Sequence, residues 1–269
     1  ITLTDIKGNV SNSLIIPDFT IDVEFPKLTN FSTIITPSNN TKPSFTFISN
    51  EIHNDISGVE VKKGSTAQGW TDMPINHISL PHINSNNYTN TVTFKTDLYE
   101  NTYNDVTLFF TDRANNIETK ILTTFEIDTT PPTLSNHVPI SSYTNLNRPV
   151  YTFTSSKQGT VTATWNGMSV GISAVETPMI SGSPASYKYD ITFDPLNDGT
   201  YTNVIITITD AATNFTNKPL AAFTVDTVNP IILSNSISLI NSTRSVTDWV
   251  KTGENVKLKF ELSENVSGG

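Results

Sequence analysis

The chain has 269 residues, room for about two domains, with a formal net charge of −9 and no cysteine. Its acidic balance, with 15 % charged residues, excludes a nucleic-acid-binding surface, which needs dense Lys and Arg. No apolar run of about 18 residues is present to cross a bilayer and no basic amphipathic segment to lie on one, so direct membrane insertion is not expected; without disulfides the fold must rest on apolar cores or on metal.

Isoleucine and valine outnumber leucine, Asn, Ser and Thr are abundant, and no window carries a sustained helical stripe of apolar residues. The class is all-β. Residues 1–22 hold a closing module, "LTDIKGNVSNSLIIPDFTID", which returns as "FTDRANNIETKILTTFEID" before 128 and as "ITDAATNFTNKPLAAFTVD" before 226. An opening module recurs too: "TKPSFTFISNE" at 41–51, "NRPVYTFTSSK" at 147–157 and a diverged "GENVKLKFELSE" at 253–264. Such a fixed period predicts a tandem array. The pieces are the end of one unit (1–22), two complete units (23–128 and 129–226) and the start of another (227–269). Proline at the junctions, as in Glu24-Phe25-Pro26 and Thr130-Pro131-Pro132, stiffens the connections and predicts a rod.

Within the second unit, alternating runs fall at about 133–140, 149–155, 159–165, 170–175, 188–194, 201–209 and 219–227, separated by turn residues such as Asn166-Gly167. Seven short strands in about 100 residues read as an immunoglobulin-like β-sandwich. The first unit departs from this pattern. Glu100-Asn101-Thr102-Tyr103 stands where the second has Asp198-Gly199-Thr200-Tyr201, and 64–90 reads as an unmatched, irregular insertion. Trp70, within it, reads as a loop anchor rather than a platform for a sugar, and Trp165 as a core residue. The chain begins inside one strand pattern and stops just after another, so it is expected to be a window of something longer. The strands of 1–22 and 227–269 would then be open to pairing with other copies of the chain.

The phrases "YTFTSS", "LNDGTYTN", "ITDAATN" and "FTVDTVNP" resemble the bacterial immunoglobulin-like tandem repeats of giant cell-surface adhesins and biofilm proteins. The resemblance covers nearly the whole chain. It implies an extracellular, cell-surface stalk that spaces a distal adhesive region, with neighbouring repeats of the same polypeptide as its first partners. Two alternatives stay open: a surface-layer or filament subunit that assembles through incomplete units, and a glycan- or protein-binding module.

Strand directions in such a sandwich bring the incoming linker, the end of the second strand and the F–G turn to one end of each unit. For the first unit this gathers Asp22, Glu24, Glu51, Asp112 and Asn116; for the second, Asp128, Asp210 and Asn214; for the third, Asp226 and Glu264. Carboxylates brought together repel, and a hard cation with oxygen ligands relieves them. The resemblance implies interdomain Ca²⁺ at these positions. The competing reading is that Asp and Asn simply cap tight turns. Lys157 replaces the glutamate in the second unit and would neutralise its carboxylates without a metal.

No nucleophile elbow, phosphate loop or H-E-x-x-H pattern occurs, and no catalytic role is expected. His77 and His82 are five apart with no third ligand nearby and read as ordinary surface histidines. Glycosylation sequons stand at Asn9, Asn30, Asn39, Asn87, Asn214, Asn241 and Asn265.

Overall fold

Alternation in the opening module shows how the elements arise. In Ser44–Ser49 the side chains of Phe45, Phe47 and Ser49 point inward and are buried, while Thr46 and Ile48 on the other face are half-buried. That period of two is the signature of a strand with one face on a core. The computed structural model describes residues 1–53, 58–81, 87–179, 185–241, 252–253 and 255–264, and its regular structure is all-β apart from one 3₁₀ turn at Ser234–Ser236.

The chain divides into two compact units, Ile1–Pro131 with Thr209–Phe215, and Pro132–Ile208 with Thr216–Gly269. Strands of the first repeat are β1 (Leu28–Thr29), β2 (Ser44–Ser49), β3 (Val59–Ser65), β4 (Gly69–Met73), β5 (Ile75–Pro81), β6 (Tyr88–Phe94), β7 (Asn101–Tyr103), β8 (Val106–Thr111), β9 (Ile117–Ile121) and β10 (Phe125–Ile127). They form a sheet in the order β1-β2-β6-β5, a second in the order β4-β3-β8-β9, and the antiparallel pair β7–β10. Both four-stranded sheets and the pair send residues into one apolar cluster. Phe45, Phe47, Val92, Leu108, Phe110, Phe125 and Ile127 are each at most 2 % exposed there.

The next repeat carries β11 (Leu134–Val138), β12 (Tyr143–Thr144), β13 (Val150–Ser155), β14 (Thr160–Trp165), β15 (Met168–Val170), β16 (Ile172–Met179), β17 (Ser186–Phe193), β18 (Gly199–Tyr201), β19 (Val204–Thr209), β20 (Phe215–Pro219) and β21 (Phe223–Val225). The four-stranded orders repeat those of the first, as β11-β13-β17-β16 and β15-β14-β19-β20, and the β7–β10 pair returns as β18–β21, widened by β12 to β12-β21-β18. Phe153, Tyr189, Ile191, Phe193, Ile206, Ile208 and Phe223 lie at the centre of the second cluster, and half-buried Trp165 packs against it, on the ring of Tyr201. A last pair, β22 (Ser238–Asn241) and β23 (Val256–Lys259), is antiparallel.

Local hydrogen bonds recur with the strands. The Tyr103 hydroxyl donates to the Tyr99 carbonyl at 3.0 Å, and that of Tyr201 to the Asn197 carbonyl at 2.9 Å. Glu100 accepts from Thr129 and Thr130 at the end of the first repeat, as Asp198 accepts from Thr227 at the end of the second. The Glu100 departure therefore keeps the acceptor role. In three places the second strand closes back on the incoming chain: Asn50 N donates to Lys27 O, Ser156 N to Thr133 O, and Ser263 N to Ile231 O.

Two local expectations are corrected. Residues 64–90 are not an irregular insertion: β4 and β5 lie there, in the same sheet positions as β15 and β16, so Trp70 is a strand residue. The alternation of β4 was hidden because four of its five residues are exposed. The run expected at 219–227 holds one strand, β21, and a strand that was not expected, β20, precedes it in a different sheet. Pro219, which has no backbone N–H, closes β20.

Candidate metal centre

The recurring Asp builds the same turn three times. Asp112 N donates to Asn116 O at 3.0 Å, while Asp112 Oδ1 accepts the backbone N–H groups of Ala114 and Asn116, both at 2.8 Å. Asn116 Nδ2 donates to Asp112 Oδ2 at 2.9 Å. Asp5 does the same with Lys7 and Asn9, and Asp210 repeats the pairing with Asn214, whose backbone N–H lies 2.9 Å from Oδ1. The fourth residue of each turn has positive φ: Gly8 at 85°, Asn115 at 67° and Thr213 at 70°. Glycine and asparagine adopt this conformation readily, whereas β-branched Thr213 is strained in it, and the carboxylate caps hold the turn closed. Turn capping is therefore a real duty of all three aspartates.

In the first unit the cap has company. Ligand oxygens of Asp22, Glu51 and Asp112 all lie within 4.8 Å of one another. Three features bring them there. The incoming chain delivers Asp22, whose carbonyl lies 3.4 Å from Asn116 Nδ2. Glu51 lies two residues past β2, where the buried Ser49 hydroxyl donates to the Glu51 carbonyl at 2.7 Å. Asp112 itself is fully buried at the end of β8. The electrostatics of the trio are unfavourable as they stand. Burial, then the charges of Asp22 and Asp112, push the Glu51 carboxyl above its ordinary range. Asp112 has three of its roughly four acceptor positions occupied by the turn, leaving one for another donor or a cation. The donor set is oxygen throughout and fits a hard cation such as Ca²⁺.

The other expected residues fall differently. Glu24 is exposed, and its backbone N–H donates to Asp22 Oδ1 at 3.1 Å, so it shapes the linker. Asn116 presents its amide nitrogen to Asp112 and so braces that carboxylate. Asp128 accepts from Thr130 N through Oδ1, while its carbonyl takes Asn214 Nδ2 at 2.8 Å. Asp226 caps Val228 N at 3.2 Å. Lys157 follows β13, where Ser155 Oγ donates to its carbonyl as Ser49 does to Glu51. Glu264 keeps one carboxylate oxygen buried without a hydrogen-bond partner among the described residues. Among the described residues, no second acidic trio forms around Asp128, Asp210, Asp226 or Glu264.

Ser49 and Ser155 were overlooked in the sequence. Their signal is a hydroxyl at the last inward position of an alternating strand, in "FTFIS" and "YTFTS". Asn90 was overlooked as well. Fully buried on β6, it donates to Ser49 Oγ at 2.9 Å and lies 2.9 Å from His77 Nε2. His77 is thus no simple surface residue. It packs against His53 with ring centroids 4.6 Å apart, and burial pulls its pKa below the ordinary value. His82 and Asn265 lie outside the described residues. The Asn214 side chain is occupied by Asp210 and the Asp128 carbonyl and is 7 % exposed, so it does not present a glycosylation site in the folded chain.

Compared with known proteins, the chain matches no family model and no curated relative.

Proposed function

We propose that the chain is a stalk segment of a large extracellular repeat adhesin, made of tandem immunoglobulin-like β-sandwich units in an elongated rod and without catalytic activity. The observation that carries this reading is the recurrence of one design. The same two four-stranded sheet orders, the same Asp-to-Asn turn and the same tyrosine-to-carbonyl bond appear twice, and the turn a third time. Repetition of a self-contained scaffold supports a spacing role better than a catalytic one, because a single active site needs no copies. The tyrosine bond four residues back, from the last residue of β7 and of β18, resembles the tyrosine corner of immunoglobulin-like sandwiches. Antibodies against residues 23–226 should label intact source cells and lose their epitope when the cells are shaved with protease. Labelling that requires permeabilised cells would overturn the stalk reading.

Ca²⁺ at Asp22, Glu51 and Asp112 would stiffen the lead-in to the first unit. Its test uses the raised Glu51 pKa. A carboxyl whose folded pKa is raised adds stability below its unfolded value, about 4.3, and loses it as pH rises through the folded value. At neutral pH without divalent cations, Glu51→Gln should therefore raise the melting temperature of the first unit. With Ca²⁺ in excess the order should reverse, since the wild type gains RT ln(1 + [Ca²⁺]/Kd) and the variant gains less. A wild-type melt unchanged by Ca²⁺ or EDTA would remove the metal from the proposal.

A further inference from the structure

The outer face of the β4-β3-β8-β9 sheet differs from its counterpart in the second repeat. Val61, Met73, Leu108 and Phe110 turn inward, so the alternate residues Lys62 and Gly64 of β3, Trp70 of β4, Phe109 of β8 and Thr119 of β9 turn outward. A cleft of about 510 Å³ opens there beside Asn104 and Asp105. The Trp70 ring forms its wall, 37 % exposed and held edge-on against Phe109 at 5.1 Å and 89°. Gly64 forms the floor. Its φ of +119° and the nearby Gly69 carbonyl leave no space for a Cβ, so the cleft keeps a side-chain-free backbone there.

The second repeat acts as an internal reference. Gly64 N donates to Asp105 O, and at the matching place Asn166 N donates to Asn203 O. There the Asn203 side chain finds its partner in Asn166 Oδ1 at 3.2 Å. Gly64 has no side chain to offer, and Asp105 Oδ1 is left buried with no hydrogen-bond partner among the described residues. Where Phe109 and Thr119 face each other in the first repeat, the second has a closed polar pair, Thr207 to Asn217 at 2.7 Å. The scaffold is shared, while the aromatic wall, the glycine floor and the unpartnered Asp105 Oδ1 belong to the first repeat. A buried acceptor without a donor calls for a ligand or an ordered water.

We infer that this cleft binds a neutral sugar, a pyranose whose apolar C–H face lies on Trp70 and whose hydroxyls donate to Asp105 and exchange hydrogen bonds with Asn104 and Thr119. A concave site with an aromatic wall and a few convergent polar groups is the general form of a small-ligand pocket. Asp105 and the net charge of −9 disfavour an anionic sugar. A cationic peptide side chain is disfavoured for another reason: Lys62 Nζ already occupies the Phe109 ring, 5.3 Å from its centroid. This site is independent of the stalk reading, since surface labelling and sugar binding fail separately.

The test is an NMR titration of the whole 269-residue chain with methyl glycosides of glucose, galactose, mannose and N-acetylglucosamine, following the Trp70 indole N–H. At least one glycoside should shift that resonance saturably. Trp70→Ala should weaken binding at least tenfold, Asp105→Ala should do likewise, and Trp70→Tyr should retain part of it. Because Asp105→Ala alters a turn, Trp70→Ala alone decides the matter if the former fails to fold. No shift with any of the four glycosides overturns the inference. So does binding that survives Trp70→Ala, or a lysine-rich peptide that binds through Trp70 while every sugar fails.

Discussion

Phe153→Ala should destabilise the second unit by about 3–5 kcal/mol and leave the unfolding transition of the first in place. Phe153 is fully buried on β13, stacked on Tyr189 at 5.2 Å and tilted against Tyr151 at 5.9 Å. Removing the ring forfeits its transfer free energy and leaves a void that flanking strands, fixed by backbone ladders on both sides, cannot readily fill. Each of the two apolar clusters draws on its own repeat. At about 4–8 °C per kcal/mol for a unit of this size, the loss corresponds to a fall of more than about 12 °C in one calorimetric transition. Phe47→Ala, at the equivalent place on β2, should give the mirror result. If either substitution moves both transitions together, the two repeats do not fold as separate cooperative units, and the scaffold is not modular.

How far the sequence could be read depended on where each signal sits. Strands with one apolar face, such as β13 and β17, announce themselves, because burial forces apolar residues into every second position. β20 and β4 escaped, since their exposed residues carry no such constraint and only pairing with a neighbour makes them strands. The recurring Asp was visible from its period, and its turn geometry from the Asn four residues later. Which aspartate gains carboxylate neighbours was less legible. Asp22 and Glu51 are 90 and 61 residues from Asp112 if counted along the chain, and their meeting depends on the path of the incoming linker. The Trp70 cleft was hidden for a related reason. It needs the positive φ of Gly64 and the cross-strand placement of Phe109, neither of which has a local sequence signature beyond one glycine among twelve.

Asp112→Ala should cost the first unit on the order of 3 kcal/mol even without metal, because two backbone N–H groups and one side-chain amide lose a fully buried acceptor. Asp112→Asn separates the two duties of this residue. Its amide oxygen can still accept from the Ala114 and Asn116 N–H groups, so the turn survives in part, but its NH₂ then faces the Asn116 amide and the negative charge is gone. In EDTA the asparagine variant should therefore be more stable than the alanine variant. It should also feel less repulsion from Asp22 and Glu51. In Ca²⁺ the wild type should pull ahead of both, and neither variant should respond to the ion. Asp210→Ala serves as the reference: it removes the same kind of cap, with Asn214 N at 2.9 Å, from a turn with no comparable carboxylate trio among the described residues. Its cost should be similar in EDTA and unchanged by Ca²⁺. Denaturant unfolding of the four proteins, each with and without Ca²⁺, measures all of these differences. A calcium response that persists in Asp112→Asn would show that the ion binds elsewhere, leaving Asp112 as a turn-capping residue alone.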